Sequence, residues 1–272
     1  MKLSVNQGAA PALVNIEREG RIAIVRFDRG DKANAMSLEL CRQLTQAARS
    51  FENDAGVSAV ILTAAGSNFS LGADLKDEEG AAARRLPLAE RRLSLQTGGR
   101  MCRAWEEIEA LTIVAIEGWC VGGGAALAVA CDLRMAARDA HLYVPEIERG
   151  MNLSWGAIPR ITHLVGPAKA KRIVILSEKV TAPVAAEWGL IDSLSEPGSA
   201  LADARRWAER AASLPPVQLR MIKQAINASA FALDRAVSHA DFDQFALAAG
   251  SGDFEEGTRS FLERRPPRYT GA

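Results

Sequence analysis

A chain of 272 residues has room for one large domain, or for a domain with an extension. It is 48% hydrophobic and 24% charged, an ordinary globular composition. Its 33 basic side chains balance 33 acidic ones, which excludes the positive surplus that nucleic acid or an anionic membrane surface calls for.

No apolar run approaches the ~20 residues that cross a bilayer. The start, Met1 to Pro11, carries no apolar or arginine-rich leader. Cys41, Cys102, Cys120 and Cys131 lack C-x-x-C spacing and read as reduced packing residues of a cytoplasmic protein.

In chain order, Val14 to Phe27 alternates apolar and polar residues around Gly20, the pattern of a β-hairpin. Ser37 is placed to cap a helix in which Leu38, Leu40, Cys41, Leu44 and Ala48 recur at helical spacing. Val57 to Thr63 reads as a buried strand. Gly80 to Arg103 is rich in Ala and Arg and reads as a helix with loose ends. Its arginines 84, 85, 91, 92, 100 and 103 suit a solvated face. Ile113 to Ile116 and Arg134 to Ala136 are further strands, and Gly156 to Val165 suggests a helix that Ser154 would cap. Beyond Ala200 the pattern is helical throughout, interrupted at Leu214-Pro215-Pro216. Alternating strands and helices place the chain in the α/β class.

The densest signal is the junction after Ile116, where Gly122-Gly123-Gly124 precede a small-residue segment from Ala125. A strand-to-helix turn of this kind exposes backbone N–H groups that have no intrahelical partner, and glycine lets a ligand approach them. Negative charge is favoured there. The spacing matches neither dinucleotide binding, since Leu127 stands where a final Gly or Ala is required, nor a phosphate loop, since no Lys follows. A tight turn without ligand and an oxyanion site both remain open.

Ile113–Asp132 resembles the signature of the enoyl-CoA hydratase/isomerase, or crotonase, family. Three other segments resemble its motifs in the family's order: Lys32–Ser37, Ser67–Lys76 with its Gly72-Ala73-Asp74-Leu75 core, and Leu142–Gly150 with Pro145-Glu146-Ile147. Gly257–Pro266 resembles its closing helix. The resemblance implies a spiral of ββα repeats over 1–199 and a C-terminal helical region, 200–272, that covers the site and builds trimers or hexamers. It also implies an acyl-CoA thioester as substrate, with no other cofactor and no metal. The backbone N–H groups of Ala73 and Gly123 would form an oxyanion hole, and Glu146 would carry the proton. Ala33, Ala35, Gly72, Asp74, Leu75, Gly122, Ala126 and Trp155 would lie at the substrate. On this footing the Gly80–Arg103 arginines could instead form a flap over CoA phosphates.

Independently of the resemblance, Glu146 sits among Leu142, Tyr143, Val144 and Ile147, company that raises a carboxyl pKa. Two departures stand out. Where hydratases of this family carry a second glutamate, this chain has Ala126, which fits isomerisation or atypical hydration better than ordinary hydration. Glu148, Glu117, Asp74 and Asp77 are the acids that could substitute, with Asp74 the natural turn former. The family's glycine-rich run after the acid loop reads here Leu153-Ser154-Trp155-Gly156-Ala157-Ile158-Pro159-Arg160. Trp155 either narrows the acyl pocket or packs in the core. His141, His163 and His239 lack metal spacing and read as structural or surface residues. The alternative to an enzyme is a crotonase homologue that binds acyl-CoA without turnover.

Overall fold

The alternation over Val14–Phe27 folds as the expected hairpin, β1 (Val14–Glu19) against β2 (Ile22–Phe27), closed by a two-residue turn whose Gly20 has φ +58°. The structure, a computed structural model, describes residues 11–272. The stretch Met1 to Pro11, on which the expectation about a leader rests, therefore lies almost wholly outside the described residues. The remaining strands are β3 (Ala59–Ala64), β4 (Leu111–Ile116), β5 (Trp119–Val121), β6 (Leu133–Ala137), β7 (His141–Tyr143), β8 (Val180–Thr181) and β9 (Ser193–Ser195).

The strands form two sheets. The larger runs β1-β2-β3-β4-β6-β9, parallel from β2 onward. The smaller runs β5-β7-β8, and two parallel bridges, Ser70 to Cys120 and Met36 to Ala73, extend it. Each turn of chain thus gives one strand to the large sheet and a short second segment to the small one. Helix Leu38–Arg49 follows Met36, and helix Gly123–Ala128 follows β5. This is the expected crotonase spiral of ββα repeats. Parallel strands need such crossovers, which is why helices separate them.

Both faces of the large sheet are buried across β2, β3 and β4, as parallel strands require. Ala23, Val25 and Phe27 point into the main core between the sheets, while Ile22 and Ile24 point the other way. That outer face is covered by helix Ala200–Ala212, whose Ala200, Ala204, Ala208 and Ala211 form a small-residue stripe fitting closely against the strands. Ser37 caps the first helix as its spacing predicts, accepting a hydrogen bond from the Leu40 N–H at 3.2 Å.

Two expectations need correction. Gly80–Arg103 is not one helix but parts of three, Glu78–Ala83, Leu88–Leu95 and Thr97–Glu106. Pro87 lacks the N–H that a continuous helix would use and breaks the run. Ser154 does not cap the next helix, Ala157–Val174. Gly156 at φ +70° occupies that position, and Ser154 contributes only its backbone carbonyl, to the Ala157 N–H at 3.2 Å. The helix bends at Gly166 and Pro167, so its first segment ends at the expected Val165. Beyond it lie the expected C-terminal helices Pro216–Ala230, Asp234–Ser238, Asp241–Ala248 and Gly252–Glu263.

Candidate active site

Three neighbouring segments of the small sheet send their carboxyl ends to one place. The Met36–Ala73 bridge is made by the Met36 N–H donating to Gly72 O at 2.8 Å and the Asp74 N–H donating to Met36 O at 3.1 Å. In a parallel bridge this pattern turns the N–H of Ala73 to the opposite side. Next to it, β5 ends at Val121. Gly122 then adopts φ +51° and ψ −113°, a conformation closed to residues with a side chain, and Gly123 begins a helix. The first N–H groups of that helix have no partner inside it. Among the described residues, neither the Ala73 nor the Gly123 N–H donates a hydrogen bond. Both residues border a cavity of about 270 Å³.

The acid loop arrives through β7. The β5–β7 register pairs Val121 with Tyr143, and the Gly122 N–H donates to Tyr143 O at 2.8 Å. Three residues on, Glu146 lies against Gly122, so closely that a Cβ there would stand 2.6 Å from Glu146 Oε1. Glu146 Oε2 is buried and has no hydrogen-bond partner among the described residues. Burial pushes the carboxyl up to about 7, against a smaller downward pull from its backbone and from Arg149. The loop is held from behind by helix Gly252–Glu263. Gly150 and Gly257 allow the contact, for a Cβ on either would meet backbone atoms of the other segment at 2.5 Å.

Ala126 stands where the resemblance implies a second acid. It is fully buried and borders the cavity. Of the four possible substitutes, Glu148 takes the Tyr143 hydroxyl, and Glu117 takes the N–H groups of Gly198 and Ala200 at 3.0 and 2.9 Å. Neither borders the cavity. Asp74 and Asp77 do, but both are committed. Asp74 accepts from Arg29 at 2.8 Å and from the Lys76 N–H at 2.9 Å, the turn-forming role its place suggests. Asp77 accepts from the Leu38 N–H at 2.8 Å.

Leu75 and Trp155 also border the cavity. Ala33, Ala35, Gly72 and Gly122 support it from behind. The carbonyls of Ala33 and Ala35 take the Leu71 N–H and Arg29 Nη1, both at 2.8 Å. Of the arginines of the 80–103 region, Arg84 and Arg91 face the cavity, whereas Arg92 pairs with Asp243 at 3.0 Å. Residues that sequence reasoning missed complete the lining. Asn152 and Arg91 each present a buried polar atom without a partner, and Phe245, Ala246, Ala249 and Phe254 come from the C-terminal helices. No sequence motif marks these positions.

The histidines are scattered as expected. His141 stacks on Trp119 with ring centroids 4.7 Å apart, and His163 lies 3.4 Å from Asp234. No group of three or more His, Cys, Asp or Glu side chains among the described residues could hold a metal. The four cysteines are free and buried, and burial raises all four thiols, that of Cys102 to about 12. No helix among the described residues is long and apolar enough to cross a membrane.

Comparison with known proteins identifies the family. A family model described as enoyl-CoA hydratase/isomerase matches residues 17–272. The chain is 30% identical over 254 residues to a short-chain-enoyl-CoA hydratase of Clostridium acetobutylicum, covering 93% of this chain and 95% of that one. It is likewise 30% identical over 256 residues to a crotonyl-CoA hydratase of Syntrophomonas wolfei, covering 93% and 96%. Among solved structures, an enoyl-CoA hydratase/isomerase from Xanthobacter autotrophicus Py2 superimposes with a TM-score of 0.85 at 27% identity, over 96% of this chain and all of that one.

Proposed function

Since the chain belongs to the enoyl-CoA hydratase/isomerase family, we propose that it moves a double bond in an enoyl-CoA thioester, using one glutamate and a backbone oxyanion hole. The observation that carries this reading is the pairing of an unpartnered, buried Glu146 carboxyl, raised to about 7, with an alanine at the second acid position. The free N–H groups of Ala73 and Gly123 border the same cavity and would hold the thioester oxygen.

The reaction follows from these parts. With a β,γ-unsaturated thioester bound, the Glu146 carboxylate takes a proton from the α-carbon. The C–H electron pair moves into the conjugated system, and negative charge collects on the thioester oxygen at the two N–H groups. Glu146 returns the same proton to the γ-carbon, leaving the double bond between α and β. One carboxyl serves as base and then as acid, so a pKa near neutrality suits both halves. Hydration instead asks for a second group to activate water, and Ala126 offers none. No cofactor beyond the coenzyme A of the substrate takes part. Arg84 and Arg91 are the cations placed to meet an anionic part of the ligand.

The test is a side-by-side assay of crotonyl-CoA hydration and 3-enoyl-CoA isomerisation, in the native chain and in Ala126→Glu. Isomerisation should dominate in the native protein, and the substitution should raise hydration. Fast hydration by the native protein would sink the single-carboxylate reading. Ala126 also favours a second reading, an acyl-CoA-binding homologue without turnover. Tight binding of acyl-CoA with no reaction on either substrate would establish that one.

For assembly we propose a homotrimer or homohexamer. Val237 and Leu247 are exposed on the C-terminal helices and Leu233 in the turn before them, as are Met221, Ile222 and Ile226 on the preceding helix. So large an apolar surface is unusual on a monomer. Light scattering should give a multiple of 29.1 kDa. A monomer at micromolar concentration would contradict the proposal. We place this activity in fatty-acyl metabolism and expect it in the cytoplasm.

A further inference from the structure

Trp155 is a large side chain that borders the cavity beside the glycine turn, and its backbone is strained. Its φ is +61°, in the left-handed region that an indole-bearing residue rarely visits, and Gly156 follows at +70°. Such a conformation persists only where the surroundings hold it. Here they do. Arg160 Nη1 donates to Trp155 O at 2.9 Å, and Arg160 Nε is fixed by Glu106 at 2.6 Å. The Gly156 N–H donates to Asp241 at 2.7 Å.

The indole so placed fills the space above two glycines. A Cβ on Gly98 would fall 1.9 Å from Trp155 Cε2, and a Cβ on Gly123 would fall 2.6 Å from its Cζ3. The ring therefore lies against the residue whose N–H would hold the thioester oxygen. Trp155 also borders a second cavity, of about 170 Å³. That chamber is lined by charged groups, among them Arg103, Glu106, Arg160, Asp234 and Asp241. The first cavity is flanked mainly by apolar residues.

We infer that Trp155 is the end wall of the acyl pocket and restricts the protein to short acyl groups, a conclusion that rests on the acyl-CoA reading above. An acyl chain that begins at a carbonyl held by Gly123 meets the indole within its first few carbons. The second cavity beside Trp155 offers charged groups, whereas apolar burial is what such a chain needs, so passing the residue into it gains the chain little.

The test measures binding of saturated acyl-CoA esters, which the proposed chemistry does not consume. Calorimetry with four-carbon butyryl-CoA and eight-carbon octanoyl-CoA is run on the native protein, Trp155→Leu and Trp155→Gly. Glycine accepts the +61° backbone without strain, and butyryl-CoA binding reports that each variant is folded. A misfit of even one methylene in a pocket is worth roughly 10–200-fold. The native protein should therefore bind butyryl-CoA at least tenfold more tightly than octanoyl-CoA. That gap should shrink in Trp155→Leu and close to within a few-fold in Trp155→Gly. Equal binding of both esters by the native protein, or an unchanged gap in both variants, overturns the inference alone. No binding of either ester to the native protein overturns the acyl-CoA reading, and this inference with it.

Discussion

The inner wall of the cavity is built from strand ends, and its cover from helices. Ala73, Gly122, Gly123 and Glu146 each follow a segment hydrogen-bonded into the small sheet, and their positions depend on main-chain pairing. The cover, made by Glu78–Ala83, Leu88–Leu95, Asp241–Ala248 and Gly252–Glu263, meets the cavity through side chains such as Arg84, Arg91, Phe245 and Phe254. It exposes Leu88, Leu93 and Leu247 to solvent. A wall of paired backbone can hold N–H groups to a fraction of an ångström, which charge stabilisation requires. A cover of side chains on short helices can change shape and composition while the chemistry stays in place. If this division is right, substitutions in the wall should act on turnover, and substitutions in the cover on binding or on nothing.

The sharpest way to break it is Glu146→Gln. Turnover on the true substrate should fall by roughly 10²–10⁴, the usual span for a general acid–base group, with acyl-CoA affinity nearly unchanged. Stopped assays paired with calorimetry check this, and near-native turnover would move the chemistry out of the wall.

Gly122→Ala comes next. The new Cβ would press on Glu146 Oε1 at 2.6 Å, and φ +51° is unfavourable to alanine. Displacing the turn should cost roughly 10²–10³ in kcat, comparable to losing an oxyanion donor, and about 1–3 kcal/mol of stability. A variant with normal kcat would show that the turn tolerates what the wall model forbids.

The pH profile sharpens the comparison within the native protein. Glu146 must begin isomerisation ionised, and its carboxyl stands at about 7. The isomerisation kcat/KM should therefore fall about tenfold for each pH unit below 7 and level off above it. The same shift has a stability sign. The native carboxyl holds its proton to higher pH than the unfolded one, whose model value is 4.5. Stability is favoured below 4.5 and declines as pH rises through 7, by at most about 3 kcal/mol. Glu146→Gln should lose that decline, and denaturant melts at pH 5 and pH 8 would show it.

The smallest effect belongs to the cover. Arg92 and Asp243 form a half-exposed pair between two cover helices. Arg92→Ala should change stability by about 0–1 kcal/mol and leave kcat unaltered. A large loss of kcat would mean that the cover takes part in the chemistry.

Some of this was legible without coordinates. The inner strands of the large sheet are largely apolar runs, as burial on both faces demands, so β3, β4 and β6 appear in the sequence within two residues of their ends. The glycine triplet announces its turn because no other residue takes the conformation of Gly122. Glu146 carries its raised pKa in its apolar neighbours. The four motifs in order gave the family. The broken helix at Pro87 was readable too, had the proline been weighed against the alanines around it.

What the chain alone determined, then, was whatever local periodicity or backbone chemistry encodes: the elements, the glycine turn, the acid in an apolar loop and the alanine where a second acid might stand. Tertiary structure decided which of these meet. Gly122 and Glu146 are brought together by the register of two three-residue strands, and nothing in either strand's composition specifies its partner. The direction of the Trp155 ring depends on Arg160, Glu106 and Asp241, which lie up to 86 residues away and order a strained backbone that no local preference would choose. Contacts of that kind form only once the chain has closed on itself, so the limits of the pocket are set by packing rather than by any segment of sequence.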